Sequence, residues 1–330
     1  MISKKIKFLS KNDIKKCISM KAAIQSMEKA FSELTKGHIK VPQRFSMDLE
    51  HHNGGSLFMP VYMPSENLVG LKTVMLHKGN PIKNLPMIHA TYMLFNADTG
   101  EVLAFMDAEY ITALRTGAAS GLATRYLSKN ESEVLVIFGA GIQARTQLEA
   151  VHEVRTISKV YIVDLNYKKA VEFSEQMSET MNIEVFPSPN REIIKEAHII
   201  CTATSSNSPV FSDEDLQDGT HINGIGSYRR DMCEIPGATI QRAKLVVDSK
   251  EAAMKEAGDI LQAIENKRIT ADHIHAELGE LVDSTKAARV IDSEITIFKS
   301  VGVAAQDIVV AALVYDYSKK MDVGVDLEIN

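Results

Sequence analysis

Residues 134–144 constrain the fold of this chain more than any other stretch. Five apolar residues, Val134 to Phe138, form a short run typical of a strand that is buried on both faces. A turn containing Gly139 and Gly141 follows, and a helical pattern begins near Ala144. In this context the first glycine allows a tight turn, and the second lets backbone N–H groups approach a pyrophosphate. The stretch therefore predicts dinucleotide binding, although a glycine turn also occurs in parallel α/β folds without a nucleotide.

An acidic residue at the end of the next apolar run favours the dinucleotide over that alternative. The run Lys159 to Val163 ends at Asp164, which lies 164 − 144 = 20 residues after Ala144. At this spacing a carboxylate accepts hydrogen bonds from a ribose 2′-OH and repels a 2′-phosphate. Asp164 therefore predicts NAD(H) as the cofactor, with NADP(H) as the second possibility.

Composition excludes several other classes of function. The 330 residues suffice for two domains, and 45% hydrophobic with 24% charged residues is typical of a globular protein. A net charge of −6 gives no support for nucleic acid as a partner. We expect no membrane span and no secretory signal, because the apolar runs are too short. The cysteines Cys17, Cys201 and Cys233 match no zinc spacing, so we expect reduced thiols, a cytoplasmic protein and no metal site.

The first part of the chain predicts an α+β domain. Ser10 and Asp13 form a capping-box pattern, and an amphipathic helix follows from Met20 to about Gly37. The Lys-rich start of the chain is expected to be a solvated face. Strands are predicted at 56–63, 68–76, 88–95 and 102–105. Asp107 is expected to cap a helix ending near Leu127, whose many small residues would allow close backbone approach.

Alternating apolar runs and helical patterns predict a doubly wound parallel sheet in the remainder. The predicted strands are 134–138, 159–163, 183–186, 198–202, 221–225 and 244–248. The predicted helices are 142–154, 166–181, 190–196, 251–265 and 272–278. A strongly apolar helix over 300–318 could return to the first domain.

In such sheets the ligand lies beyond the carboxyl ends of the strands, so the turns there are candidate cofactor-binding sites. The residues predicted to bind the cofactor are Gly139, Gly141, Ile142, Gln143, Asp164, Thr202, Gly224, Ile225 and Gly226. The hydroxyl-rich stretch 202–206 has two interpretations: it lines the dinucleotide cleft, or it caps the next helix.

Three cations of the first part lie among apolar or small residues: Arg44, Lys72 and Arg115. Lys72 falls inside a strand-like run, where burying an unpaired lysine is costly. One interpretation is that each cation points outward or meets a carboxylate of its own domain. The other is an anion site in which arginine forks hold a substrate carboxylate.

Several motifs together give the chain a resemblance to the ornithine cyclodeaminase/mu-crystallin family along essentially its whole length. They are 41–44, 70–72, 79–81, 112–118, 139–143, 223–227 and 298–302. The resemblance implies a split α+β substrate-binding and dimerisation domain (1–118 and 303–330), a Rossmann dinucleotide-binding domain (119–302) and a homodimer. It also implies that Arg44 and Arg115 bind the substrate carboxylate, that Lys72 is the catalytic residue beside the reacting carbon and nitrogen, and that Ser300 lies near nicotinamide and substrate.

Departures from the family pattern narrow the implied activity. Ornithine cyclodeaminases carry a glutamate where Leu57 stands, a catalytic aspartate where Tyr228 aligns, a lysine near Met232 and a threonine where Met87 aligns. Losing both acids removes the groups that would hold a diamine and move protons during deamination. The stretch 227–232 is more similar to the ketimine reductase branch.

The sequence thus predicts an oxidoreductase that reduces the C=N bond of a small cyclic imino acid. Examples are Δ1-pyrroline-2-carboxylate and Δ1-piperideine-2-carboxylate, which would give proline and pipecolate. Known imine reductases of the family often use NADPH, which conflicts with the charge of Asp164; we favour the charge argument. The alternatives are an ornithine cyclodeaminase, an alanine-type amino-acid dehydrogenase, and a non-enzymatic, mu-crystallin-like binding protein.

Overall fold

The structure is a computed structural model that describes residues 4–329, and these divide into two compact units. The first unit runs to Arg115 and resumes at Val303, and the second spans Thr116–Gly302. The mixed α/β architecture predicted from the sequence is confirmed. The substrate-binding, dimerisation and dinucleotide-binding roles assigned to the two parts of the chain stay predictions.

Strands and helices follow one another in an irregular order in the first unit and alternate more regularly in the second. The strands are β1 (Lys4–Leu9), β2 (Phe45–Leu49), β3 (Gly54–Met63), β4 (Leu68–His77), β5 (Ile88–Asn96), β6 (Val102–Asp107), β7 (Val134–Phe138), β8 (Lys159–Val163), β9 (Val185–Pro187), β10 (Ile199–Thr202), β11 (His221–Gly224), β12 (Lys244–Val247), β13 (Ile274–Glu277), β14 (Thr296–Lys299) and β15 (Val325–Ile329). The α-helices are α1 (Lys11–Cys17), α2 (Met20–Thr35), α3 (Ala108–Leu127), α4 (Ile142–Val154), α5 (Tyr167–Met181), α6 (Gly237–Arg242), α7 (Lys250–Glu256), α8 (Gly258–Glu265), α9 (Leu278–Val282) and α10 (Ala304–Met321).

The first unit is a seven-stranded sheet with helices on one face. Its strand order is β15-β1-β6-β5-β4-β3-β2, and β1 runs parallel to β6 while the other neighbours are antiparallel. Helix α10 packs on β3, β4 and β5, and α2 packs on α10. Side chains such as Tyr92, Leu94 and Met27 are fully buried in this layer. The C-terminal helix therefore lies against the strand that carries Lys72.

The predicted starts of α1 and α3 are confirmed by their N-terminal caps. Ser10 accepts a hydrogen bond from the backbone N–H of Asp13, whose carboxylate accepts one from the N–H of Ser10. Asp107 accepts a 2.8 Å hydrogen bond from the N–H of Tyr110 at the start of α3. The expectation of a solvated N-terminal face is confirmed for Lys5, which is exposed, but it is wrong for Lys7, because residues 4–9 form β1. There Lys7 is buried and pairs with Asp326 at 2.7 Å.

The second unit is the predicted doubly wound parallel sheet. Its strand order is β13-β12-β14-β11-β10-β7-β8-β9, and all neighbours are parallel. The order reverses between β7 and β10, which makes this the switch point at which such sheets bind ligands. Separate buried clusters, one around Leu135 and Ile137 and one around Val136 and Phe138, fill the two faces of the sheet.

Three predicted helices of this unit differ in the structure. Residues 274–277 form the edge strand β13 instead of a helix, because buried Ile274 and Ala276 alternate with half-exposed neighbours at a period of two. The predicted helix 251–265 breaks at Ala257, and the segment 190–196 is a 3₁₀ helix, Arg191–Glu196. In the first unit, the predicted helix 300–318 also differs: it begins later, at Ala304, because Gly302 has φ +80.

Close backbone approach explains the small residues of α3. A Cβ atom built on Gly117 would lie 2.4 Å from the carbonyl oxygen of Thr146 in α4, which no side chain allows. Within residues 4–329, no helix has the length and apolarity needed to span a membrane.

Candidate functional site

The glycine turn lies at the switch point of the second unit, directly after β7. Gly139 has φ +100, and a Cβ there would lie 2.6 Å from the carbonyl oxygen of Ala203, which follows β10. Gly141 is the N-cap residue of α4 and makes no side-chain cap, and open space surrounds the position its Cβ would occupy. A helix start with room in front of it is suited to an anionic group such as a pyrophosphate. Ile142 is 65% exposed beside it, and Gln143 is half-buried.

Asp164 connects the glycine turn to the loop after β8. Its Oδ2 accepts a 2.9 Å hydrogen bond from the N–H of Ala140, and its Oδ1 accepts a 2.8 Å bond from the N–H of Asn166. The half-buried carboxylate is therefore fixed next to the turn, with Leu165 93% exposed beyond it. A fixed negative charge here favours a cofactor that has a free ribose 2′-OH.

The loops after β10 and β11 use their polar groups internally. Thr202, Gly224, Ile225 and Gly226 are buried, and the N–H groups of Ile225 and Gly226 donate to the carbonyl oxygen of Thr202 at 3.0 and 3.2 Å. The Thr202 hydroxyl donates to Glu234 at 2.9 Å. These N–H and hydroxyl donors are thus engaged, and cofactor binding by these residues stays a prediction. The helix-cap interpretation of 202–206 was wrong, because no helix begins among residues 203–212, all of which are described.

Ser300 lies at the end of β14 and is buried. Its hydroxyl donates a 2.7 Å hydrogen bond to Oδ2 of Asp248, which also accepts from the N–H groups of Val301 and Gly302 at 2.9 and 2.7 Å. The hydroxyl proton is committed to Asp248, so toward a ligand Ser300 presents an acceptor oxygen. Its predicted role near nicotinamide and substrate stays a prediction.

Lys72 and Arg115 of the first unit meet at one carboxylate, that of Asp307 in α10. Nζ of Lys72 donates to its two oxygens at 2.9 and 2.8 Å, and Nε of Arg115 donates to Oδ1 at 3.1 Å. Arg115 also donates from Nη1 to Gln306, and Thr112 lies 3.4 Å from Nζ of Lys72. Lys72, Arg115 and Asp307 are buried. For Lys72 and Arg115, the interpretation of a same-domain carboxylate partner is therefore correct.

That pairing does not remove the excess of positive charge. Lys72 and Arg115 against the one carboxylate of Asp307 give +2 − 1 = +1, and Arg44, which is half-buried, is close enough to Lys72 to lower its pKa. Burial, followed by the charges of Arg115 and Arg44, lowers the pKa of Lys72 to about 8, although Asp307 acts in the opposite direction. A buried cluster with excess positive charge is suited to a carboxylate ligand. The carboxylate partner is thus compatible with an anion site for the substrate, which stays a prediction.

Asp307 and Glu234 are two residues of these clusters that were not predicted from the sequence. The signal for Asp307 was present, because Gln306 and Asp307 interrupt an otherwise apolar run, 304–315, and a charge on a buried helix needs a partner. Glu234 stands between Cys233 and Ile235 with no comparable pattern.

The four positions that depart from the ornithine cyclodeaminase pattern differ in their exposure to solvent, and none of them carries an acidic side chain. Leu57 is half-buried in β3, Met87 is 45% exposed and Met232 is buried. Tyr228 is 41% exposed in a loop of the second unit, with the guanidinium carbon of Arg229 5.9 Å from its ring centroid. Among the contacts of the Lys72 cluster, Asp307 is the carboxylate, and it is already shared by two cations.

A doubly wound sheet with this glycine turn at its switch point is the fold of NAD-dependent dehydrogenases and reductases, and the chain is an oxidoreductase of that class. The model of the ornithine cyclodeaminase/mu-crystallin family matches residues 4–322, and the chain belongs to that family.

Relatives within the family are similar over their whole length. A Δ1-pyrroline-2-carboxylate reductase of Bacillus cereus (strain ZK / E33L) is 38% identical over 322 residues, which cover 97% of this chain and 99% of that protein. The structure of the Thermococcus litoralis Δ1-pyrroline-2-carboxylate reductase in complex with NADH and L-proline is 43% identical, with a TM-score of 0.94 over 98% of this chain and 100% of that chain. An archaeal alanine dehydrogenase dimer with bound NAD is 35% identical, with a TM-score of 0.92 over 99% and 100% of the two chains.

Proposed function

We propose that this chain is an NADH-dependent reductase of a small cyclic imino acid. The substrates that fit are Δ1-pyrroline-2-carboxylate and Δ1-piperideine-2-carboxylate, which would give proline and pipecolate. The observation that carries the proposal is the buried Lys72–Asp307–Arg115 cluster, which combines a proton donor with excess positive charge. The similarity to two Δ1-pyrroline-2-carboxylate reductases supports the same substrate class.

The second unit has the features that a dinucleotide needs. Space in front of Gly141 leaves room for a pyrophosphate at the start of α4, and the Asp164 carboxylate is fixed where a ribose hydroxyl would donate to it. The exposed apolar side chains Ile142 and Leu165 flank this position and could contact an adenine ring. When bound, the reduced nicotinamide supplies the hydride for the reaction.

Arg44 and Arg115 would bind the substrate carboxylate. Arg115 is held by Asp307 and Gln306, so its guanidinium is fixed before the substrate arrives. Fixing the carboxylate orients the adjacent C=N carbon for hydride addition. Orientation of this kind lowers the activation barrier, because translational and rotational entropy is lost on binding and not in the reaction step. Arg44 is the less buried of the two and belongs to the segment that precedes β2.

Lys72 would donate the proton that the reaction requires. Hydride adds to the carbon of C=N, and the nitrogen gains a proton as the carbon–nitrogen π bond breaks. With a pKa of about 8, the Lys72 ammonium is mainly protonated at neutral pH and is a stronger acid than an ordinary lysine. Asp307 holds Nζ in place through two hydrogen bonds and acts as a positioning residue. Solvent then restores the proton of Lys72.

Deamination of ornithine would require this cluster to bind a second amino group. A second amino group needs a carboxylate partner, and Asp307 is already shared by Lys72 and Arg115. The test is a panel of substrates: the two cyclic imino acids with NADH or NADPH, pyruvate with ammonia and NADH, and ornithine with NAD⁺. We expect the imino acids with NADH to react fastest. Proline and ammonia from ornithine at a comparable rate would contradict the proposal, and faster amination of pyruvate would favour an alanine-type dehydrogenase.

The chain would also form a homodimer through the face of the first-unit sheet opposite α10. In register across six strands of this sheet lie Val325, Phe8, Phe105, Met93, Leu71 and Pro60. Val325 is 57% and Phe8 47% exposed, and the other four are half-buried. A continuous apolar row of this kind marks an interaction surface. A second copy is the occupant we propose, because the similar alanine dehydrogenase is a dimer.

Light scattering tests this assembly. We expect the wild-type chain to be a dimer, and Phe8→Glu to shift it to the monomer because a charge would be buried at the interface. Phe186→Glu is the matched control, since Phe186 is 40% exposed in the second unit. A wild-type monomer at micromolar concentration would contradict the dimer, and an equal effect of both variants would contradict this choice of surface.

A further inference from the structure

Three buried ionisable side chains of the second unit have no part in the proposed reaction. They are Glu234, Asp259 and Lys299, each at most 2% exposed. Buried charges are expensive unless they are paired and hydrogen-bonded, so their contacts need an explanation.

Glu234 connects the loops that follow β10 and β11. Its Oε1 accepts hydrogen bonds from the N–H and the hydroxyl of Thr204, at 2.6 and 2.7 Å. Its Oε2 accepts from the Thr202 hydroxyl at 2.9 Å and from the N–H groups of Gly226 and Ser227 at 2.7 and 3.1 Å. One carboxylate therefore accepts five hydrogen bonds from two loops at the carboxyl edge of the sheet.

Asp259 and Lys299 hold Glu234 in this position. Oδ1 of Asp259 accepts from the N–H groups of Glu234 and Ile235, at 2.6 and 3.0 Å. Nζ of Lys299 lies 3.5 Å from Oδ2 of Asp259 and donates a 2.9 Å hydrogen bond to the carbonyl oxygen of Gly224. The lysine thus links the end of β11 to the same group of charges.

The close packing around Glu234 and Asp259 explains why two positions of this region are glycine. A Cβ on Gly226 would lie 2.4 Å from Oε1 of Glu234 and 2.1 Å from the carbonyl oxygen of Thr204. A Cβ on Gly258, next to Asp259, would lie 2.0 Å from the carbonyl oxygen of Met232. Gly226 is therefore needed to leave space for the carboxylate, whatever it contributes to a cofactor.

We propose that Glu234, held by Asp259 and Lys299, is a positioning residue for dinucleotide binding. It fixes residues 202–206 and 224–227 at the carboxyl ends of β10 and β11, where a doubly wound sheet receives the second half of a dinucleotide. This inference rests on the proposed function in one respect, that these loops contact the cofactor. The donors that Glu234 satisfies cannot turn toward other acceptors, so the loops keep one conformation before the cofactor binds.

The carboxylate is required because every one of its partners donates. In Glu234→Gln an amide NH₂ would replace one acceptor oxygen and would face backbone N–H groups, leaving buried donors unpaired. Thr202→Val is the milder variant: it keeps the shape and removes one donor to Oε2. Glu251→Gln is the control, because Glu251 is exposed and pairs with Lys255 on the helix surface.

The experiment measures the dissociation constant of NADH by fluorescence titration, together with kcat and the KM for the imino acid. We expect the constant to rise roughly tenfold in Glu234→Gln and about two- to fivefold in Thr202→Val. The control should leave this constant, kcat and the KM for the imino acid unchanged, and in Glu234→Gln the KM for the imino acid should stay within about twofold. Hydrogen exchange of the backbone amides of residues 224–227 should be faster in Glu234→Gln and in Thr202→Val than in the wild-type chain.

An unchanged NADH dissociation constant in Thr202→Val would overturn the inference, even if Glu234→Gln does not fold. A fall in kcat with unchanged NADH binding would also overturn it. The proposed function fails separately, if the wild-type chain binds NADH but reduces no cyclic imino acid. In that case the NADH dissociation constants of the variants alone decide the positioning role.

Discussion

Asp307→Asn tests how the buried cluster of the first unit controls proton donation by Lys72. The substitution keeps the shape of the side chain and removes its charge, which lies 2.8 and 2.9 Å from Nζ of Lys72. An opposite charge at this distance raises the pKa of a lysine by about 1–3 units. Without it, the pKa of Lys72 should fall from about 8 to roughly 5–7.

The change in pKa converts directly into a change in rate. At a pH of about 7.5, a group with a pKa of about 8 is roughly three-quarters protonated, whereas one with a pKa of about 6 is roughly 3% protonated. If Lys72 gives the proton, reduction at this pH should therefore slow by about 25-fold. The wild-type rate should fall as the pH rises through about 8, where Lys72 loses its proton, and in Asp307→Asn this fall should occur at lower pH.

The assay is kcat/KM for the imino acid as a function of pH, followed by NADH absorbance. Asp316→Asn is the matched control, because Asp316 lies on the same helix, is 59% exposed and pairs with Lys319. Affinity for NADH should be unchanged in both variants. An Asp307→Asn profile with the wild-type midpoint would refute the role of Lys72 as proton donor.

Further predictions concern the two units separately. Lys72→Met should reduce kcat by about 100-fold or more while NADH still binds, because general acid catalysis is lost; equilibrium titration of NADH against steady-state rates separates the two. Asp164→Asn should lower the ratio of kcat/KM for NADH over NADPH by roughly tenfold, since it removes the charge that repels a 2′-phosphate; an unchanged ratio would show that selectivity has another source. Gly117→Ala should destabilise the chain by about 1–3 kcal/mol because its Cβ meets Thr146, whereas helix propensity alone predicts a gain of about 1 kcal/mol; urea unfolding decides the sign.

Local patterns in the sequence were sufficient for much of the second unit. The glycine turn and Asp164 lie where the spacing predicted, because a buried parallel strand, a tight turn and a helix each have a distinct composition. Edge strand β13 was missed, since four residues that alternate beside two helices are too short for a clear period. The N-terminal strand β1 was missed because its lysines suggested a solvent-exposed segment. Its neighbours β6 and β15 also lie far along the chain, so no local pattern indicates the pairing.

Long-range pairing explains what sequence analysis could not provide about the site. Lys72 and Asp307 are 235 residues apart in sequence, so no local pattern connects them. The sequence left open whether Lys72 meets a carboxylate or lies in an anion site. The structure is compatible with both, because Lys72 and Arg115 share one buried carboxylate, which leaves excess positive charge in the cluster. No sequence pattern indicated Glu234 for a similar reason, since its five hydrogen bonds come from four residues of two separate loops.

Deuterium transfer tests most directly whether this chain reduces a cyclic imino acid with NADH. The purified chain is incubated with Δ1-pyrroline-2-carboxylate and NADH that carries deuterium at the transferable position of C4, and the proline formed is analysed by mass spectrometry and NMR. The account predicts a single deuterium at C2 of proline for each NADH consumed, and almost no product with Lys72→Met. Proline without deuterium, or no proline while pyruvate and ammonia yield labelled alanine, would contradict it.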